Sequence, residues 1–305
     1  MSRTRILALM FCWGLTGWPV AGSADPGPYV APETHGYILW YRNYDSSAIR
    51  ALVTLALKKT PEYGPFRLIR SEELSQGRAL RELADDHARL VDIVNVATSR
   101  ERETQLTAIP IPIDGGLLGL RVCVATPDKL PLFQGIRTLD DIRKRDIRIG
   151  QGAHWPDTQV LRANGISVVT HSRYEILFGM LRNDRFDCFA RGVSEVLYDL
   201  GIERDPNLAV EPNLLLAYPM PSYLFVGPRQ HEIAQRLQLG LERAIEDGSF
   251  GNYLATYYGT AVEALRLRQR NVIRLQNPDL TEESRLIGRK TFQNLERRLD
   301  FLASH

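Results

Sequence analysis

The feature that most constrains the fold of this chain is an alternation of apolar strand-like runs with amphipathic helical runs, made once, broken by a polar stretch, and made again. Tyr37 to Arg42 reads as a strand, Ser47 to Lys59 as a helix and Phe66 to Arg70 as a second strand. Ser75 to Asp86 reads as a helix, and Leu90 to Val96 is a continuous apolar strand of the kind buried on both faces. Leu118 to Ala125 adds one more strand behind Gly115 and Gly116. The second series runs Ile147 to Gly150, Asp157 to Asn164, Ser167 to Thr170, Tyr174 to Asn183 and Phe186 to Ala190. Such alternation predicts an α/β fold in which each of two lobes is a mainly parallel sheet flanked by helices. Two lobes also suit the length, since about 280 residues exceed what a single core ordinarily holds.

The two series fix where the lobes divide. We expect lobe 1 to comprise residues 34–126 and 224–305, lobe 2 to comprise 127–223, and the chain to cross between them near Ala125 and again near Tyr223, a two-segment hinge that closes the lobes on a ligand. Pro219 and Pro221 flank the return, and the helix from Glu232 to Glu246 ends at Gly248, where glycine supplies a left-handed cap. The segment 260–305 is broken at Asn277-Pro278. It then carries Phe292, Leu295, Leu299 and Leu302 on one stripe of a helix, expected to dock on lobe 1.

Residues 1–24 read as a secretory signal peptide: Arg3 and Arg5, an apolar run from Ile6 to Leu15, then Pro19 and small residues through Ala24. Cys12 lies in the apolar run without a lipidation box, so the expected mature product is a soluble, monomeric, periplasmic protein. Loss of Arg3 and Arg5 reduces 38 basic side chains to 36, against 36 acidic ones. That balance, with no basic stripe, argues against a nucleic-acid partner. Cys123 and Cys188 sit in apolar strand-like stretches and read as two buried thiols in preference to a disulfide. No cysteine and histidine spacing suggests a metal, and no cofactor is expected.

Four stretches, in order, resemble the type 2 periplasmic solute-binding proteins of the polar amino acid uptake kind, solute-binding protein family 3. They are Asp92 to Arg102, a buried strand ending in a Ser/Thr-x-x-Arg turn; Arg148 to Trp155, a strand, glycine turn and helix start; Tyr174 to Arg191, similar to a helix and "Gly-x-x-Asp-Ala" strand, the latter at Asn183 to Arg191; and Ala244 to Phe250, then Leu254 to Gly259, similar to a closing helix pair with its "Asp-Gly-x-Phe" signature. The resemblance implies binding of a small molecule in the interlobe cleft for an ABC permease, or for a membrane sensor, without chemistry on the ligand. It also implies that Arg102, counted from Ser99, holds a carboxylate with its planar fork. Backbone amides at Gly152, Ala153 and His154 would hold an anion at a helix start.

The family's ammonium-binding aspartate falls here on Gly192, beside Arg191. That departure points to an anionic, carboxylate-bearing ligand, with Glu195 as the residue that would restore an amine site. Trp155 is expected to stack at the cleft, and Tyr41, Arg42 and Tyr44 to line it. A dehydratase-like or glycan-cleaving enzyme on the same fold would have only Glu195, His154 and Asp157 to work with, so no catalytic residue is assigned.

Overall fold

The computed structural model describes residues 34–85 and 89–303. The expected signal peptide and the side chains of Leu299 and Leu302 lie outside the described residues.

Lobe 1 begins with β1 (His35–Leu39), the short helix α1 (Tyr41–Asp45), α2 (Ser47–Lys58), β2 (Phe66–Arg70) and α3 (Gln76–Ala84). It continues with β3 (Val94–Ala97), α4 (Arg100–Gln105) and β4 (Thr107–Ile109). Tyr41 and Arg42, read from sequence as the end of a strand, fall in α1. Ser46 caps α2, its Oγ accepting from the Ile49 amide at 3.4 Å. β1 and β2 pair in parallel, and a parallel bridge from Leu39 to Ile93 carries this pair to β3.

Lobe 2 holds β5 (Leu120–Ala125), α5 (Leu139–Lys144), β6 (Ile149–Gly152), α6 (Pro156–Ala163), β7 (Val168–His171) and α7 (Tyr174–Arg182). β8 (Cys188–Gly192), α8 (Val196–Glu203), β9 (Ala209–Val210) and β10 (Leu214–Ala217) complete it. The chain returns to lobe 1 as β11 (Ser222–Val226), inserted antiparallel between β3 and β4, followed by α9 (His231–Glu246) and α10 (Ser249–Ala264). Gly248 takes the left-handed conformation expected of it, with φ of 81°. Last come β12 (Asn271–Arg274) and α11 (Glu282–Ala303).

Three expectations change. The lobe 2 sheet runs β12-β10-β5-β8-β6-β7, so β5, assigned from sequence to lobe 1, lies in the middle of the lobe 2 sheet. The crossings are therefore residues 110–119 and 218–221, not the neighbourhood of Ala125 and Tyr223. The sheets are mixed rather than mainly parallel: β6 runs parallel to β7 and β8, whereas β5 and β11, which enter straight from the opposite lobe without a crossover helix, pair antiparallel. Finally, Cys123 and Cys188 are joined as a disulfide across β5 and β8, with a Cα separation of 5.3 Å, and are not two free thiols.

Packing explains which strands are central. Every residue of β5, β8, β10 and β11 is buried, while β7 is only half-buried and sits at an edge. In lobe 1, α9 lies so close to α2 that a Cβ on Gly240 would stand 2.0 Å from the Ala56 carbonyl oxygen. Arg236 of α9 is fully buried, with no carboxylate partner among the described residues. Its charge is satisfied by the Tyr37 hydroxyl at 2.9 Å, Thr60 Oγ1 at 3.2 Å and the Gly64 carbonyl at 2.8 Å, which ties β1, the 60–64 loop and α9 together.

Candidate functional site

Both sheets point the carboxyl ends of their parallel strands toward the seam between the lobes, the position at which α/β folds bind ligands. A cavity of about 190 Å³ lies there, walled by α1, α2 and α4 from lobe 1, by the 152–157 turn, β8 and α8 from lobe 2, and by the first crossing. Of the residues singled out from sequence, Tyr41, Arg42, Arg102, Gly152, Ala153, His154, Trp155, Asp157, Arg191 and Glu195 line it, and Tyr44, expected to line the cleft, does not. Nor does Ser99. Its Oγ caps α4 by accepting from the Arg102 amide at 3.3 Å.

Arg102 is buried, and its guanidinium already has acceptors: the Ala97 carbonyl, Gln76 Oε1 at 2.9 Å and the His154 carbonyl at 2.7 Å. Burial pulls its pKa down to about 10, which still leaves it charged at neutral pH. Because His154 belongs to lobe 2, this arginine bridges the lobes. Three further contacts cross the seam beside it. Arg42 pairs with Glu175 at 3.3 Å and lies 3.8 Å over the Tyr174 ring, the Tyr198 hydroxyl reaches the Asp45 carbonyl at 3.4 Å, and the His154 ring packs on Gly77.

Arg191 stands where a cationic wall was expected, but it is not a free cation. Its Nε donates to Asp199 Oδ2 at 2.7 Å and its terminal nitrogen meets Glu195 Oε2 at 3.3 Å. The guanidinium lies 4.8 Å from the Trp155 ring centre, and Trp155 in turn stacks on Phe189 with the rings 7° from parallel. Burial works against the arginine's charge, and the carboxylates of Asp199 and Glu195 more than offset it. Asp199 also accepts from the Tyr174 hydroxyl at 2.7 Å.

A second buried arginine, Arg121 of β5, completes the floor. It meets Asp157 Oδ1 at 2.7 Å and Glu195 Oε2 at 3.2 Å, and its Nε has no hydrogen-bond partner. Tyr218 donates to the same Asp157 at 2.5 Å. Glu195 is thus the hinge pin of an alternating chain: Asp157, Arg121, Glu195, Arg191, Asp199. Its Oε2 carries the bonds, including one from the Gly192 amide at 3.3 Å, while Oε1 has no partner among the described residues in a side chain that is 37% exposed. Two buried arginines draw its pKa down, so the carboxylate is ionised.

The departure at Gly192, with Arg191 beside it, does not make the cleft cationic, because this network supplies carboxylates. The cavity is lined by Arg42, Arg102, Arg121 and Arg191, and by Asp114, Asp157, Glu175, Glu195 and Asp199, so it carries no cationic excess. Gly192 lacks a side chain, but Glu195 puts a carboxylate on its amide. Of the expected amide cradle, the Ala153 amide is spent on the His171 carbonyl; the neighbouring Trp155 amide donates to the Gly152 carbonyl, α6 opens with Pro156, which has no N–H, and the Trp155 ring lies on Gly152. At the first crossing, Asp114 accepts from the amides of Gly116 and Leu118 and from Ser194 Oγ, and burial pushes its pKa up to about 6.

Arg121, Asp114 and Asp199 were missed from sequence. The signal was a lone charge in an otherwise apolar run, as in Leu120-Arg-Val-Cys-Val and Val196-Leu-Tyr-Asp-Leu. A charge so placed has to be either paired or functional.

Two α/β lobes joined by two crossings, with a cavity between them, define a bilobal α/β architecture. Neither a family model nor any curated protein matches the sequence. Solved structures do match the fold. An ancestral arginine-binding protein bound to glutamine superposes with a TM-score of 0.55 at 14% identity, over 74% of this chain and 98% of its own. A Salmonella typhimurium periplasmic binding protein with high arginine specificity gives 0.52 at 15%, over 74% and 99%. An ancestral amino acid-binding protein that is a precursor of cyclohexadienyl dehydratase gives 0.52 at 13%, over 74% and 95%. At these identities the likeness establishes the architecture: the chain has the type 2 periplasmic binding protein fold of amino acid ABC transporter substrate-binding proteins.

Proposed function

We propose that this protein captures a small polar solute, amino acid-like in size and charge, in the interlobe cleft, and delivers it for ABC-type uptake from the periplasm without altering it. The observation that carries this reading is the interlobe cavity lined by the Glu195 ion-pair network, one carboxylate oxygen of Glu195 being committed to two arginines while the other has no partner among the described residues. A ligand seated there donates to Oε1 through an amine, amide or hydroxyl, and offers a carboxylate to the arginine side of the cleft. Ligands of the fold neighbours, arginine and glutamine, carry both groups. The carboxylate competes with acceptors already present. On Arg102 these are neutral carbonyls and an amide, which an anion displaces more readily than it displaces the Asp199 carboxylate from Arg191. Arg102 is therefore the favoured carboxylate anchor, and Arg191 its structural neighbour.

The test is a thermal-shift screen of the mature protein against amino acids, organic acids and small anions, followed by calorimetric titration of the best ligand. A ligand at 100 times its dissociation constant stabilises the fold by about 2.7 kcal/mol. Glu195→Gln keeps the shape and removes the charge, and should weaken binding by about tenfold or more, since a charged hydrogen bond is worth about 1.5 to 3 kcal/mol. No stabilising compound, or an affinity unchanged in Glu195→Gln, would refute the reading. Recovery of the ligand chemically altered after incubation would assign the cleft to an enzyme instead.

A further inference from the structure

The C-terminal segment, expected to rest on lobe 1, touches both lobes and both crossings. Its first part belongs to lobe 2: β12 pairs in parallel with β10, the Leu275 amide donates to the Ala217 carbonyl at 2.8 Å, and Gln276 exchanges two bonds with the Asn164 side chain. Three residues later the chain is bonded to lobe 1. The Asp279 carbonyl accepts from the Arg100 amide at 3.0 Å, and the Leu280 carbonyl from the Arg100 guanidinium at 2.8 Å. The carboxylate of Glu103, on the same helix α4, then accepts from Thr281 Oγ1 at 2.5 Å and Ser284 Oγ at 2.6 Å. Between these anchorages Asn277 Nδ2 donates to the Pro219 carbonyl at 2.9 Å.

The following helix, α11, runs over the hinge itself. Gly288 presses on Pro219 and Pro221 of the second crossing, where a Cβ would stand 3.0 Å from the ring of Pro221. Thr291 and Leu295 cover Gly116 of the first crossing, a residue at φ of 94°. Opening a bilobal clamp requires both crossings to twist together. Here both are covered by one helix, and the lobes are tied by a link of three residue-to-residue steps, Gln276 to Asp279, whose greatest reach is about 10 Å.

We propose that residues 271–295 form a strap that fixes the angle between the lobes, so that the cleft stands nearly closed with or without a ligand, and that holds in place the helix α4 bearing Arg102. Glu103 is a positioning residue in this scheme: it touches no ligand and anchors the strap one residue from the cleft arginine.

The experiment measures interlobe distance in the unliganded protein by pulsed electron spin resonance. Nitroxides are placed on Glu73→Cys in lobe 1 and Arg173→Cys in lobe 2, both exposed positions flanking the cleft. The parent should give one narrow distance. Six Gly/Ser residues inserted between Asn277 and Pro278 lengthen the link by up to about 20 Å while leaving every contact residue in place, and should add a second, longer population. Thr281→Val with Ser284→Ala, which keeps the link and removes the Glu103 contacts, should broaden the distribution in the same direction by a smaller amount. A parent that already samples the longer distance overturns the strap, as does a parent-like distribution in both variants. No ligand enters the measurement, so its outcome bears on the strap and leaves the solute-binding proposal to its own test.

Discussion

Arg191→Ala is the substitution that best separates a ligand-binding cation from a structural one. The side chains of Arg191 and Asp199 are 6% and 5% exposed and meet at 2.7 Å, and Asp199 has only the Tyr174 hydroxyl as its other partner. Removing the guanidinium leaves a buried carboxylate with one neutral donor, and breaking a buried pair in this way costs about 3 to 5 kcal/mol. It also strips the cation from the face of Trp155, worth roughly 1 kcal/mol more. For a chain of this size, that corresponds to a melting temperature lower by roughly 10 °C or more. Arg191→Met combined with Asp199→Leu removes both charges and fills the space, and should recover most of the loss, because a well-packed apolar pair often equals a buried ion pair. The assay is urea and thermal unfolding of the parent, the single variant and the double variant without ligand. A single variant within about 1 kcal/mol of the parent would refute the argument and return Arg191 to the ligand.

Other perturbations test separate links of the same structure. Burial raises the folded pKa of Asp114 to about 6 against an unfolded value near 4, so its contribution to stability is complete below pH 4 and is lost as pH rises through 6. The parent should lose up to about 3 kcal/mol over that interval relative to Asp114→Asn, and unfolding curves of equal slope in the two proteins would contradict it. Cys123 and Cys188, 65 residues apart, should leave no thiol reactive toward maleimide in the denatured, unreduced mature protein. Replacing both with serine should cost about 4 kcal/mol on the loop-closure model. Gly240→Ala would drive a methyl group into the Ala56 carbonyl, forcing α9 off α2 with a loss of about 1 to 3 kcal/mol by calorimetry; a neutral result would mean the helices are not in that contact.

Periodicity made the element order readable. The strand at Phe66 to Arg70 and the helix at Tyr174 were placed to within a residue, because their apolar spacing is set by neighbours within a few positions. Sheet membership is not local in that sense. Leu120 to Ala125 is buried on every residue and reads alike whichever lobe it enters, and only its pairing with Cys188 to Gly192 assigns it to lobe 2. β12 had no signal at all: Asn271-Val-Ile-Arg274 is a short, half-exposed edge strand whose place is decided by β10 and by Arg270, which donates to the Leu214 carbonyl at 3.1 Å.

The site was legible in location and not in charge, for a physical reason. Sequence spacing showed which residues arrive at the carboxyl ends of strands, and all of those singled out but Tyr44 and Ser99 line the cavity. The sign of a cleft, however, depends on pairings across long separations: Arg121 with Asp157 and Glu195, and Arg102 with the carbonyl of His154. Counting arginines near the cleft therefore overstated its positive character. Each of them is desolvated, and a desolvated guanidinium is stable only where the chain also supplies an acceptor. The more useful sequence signal is the isolated charge within an apolar run, and its partner is then to be sought among the other isolated charges. Applied here, that rule matches Arg191 with Asp199, and leaves Glu195 as the carboxylate shared between Arg121 and Arg191.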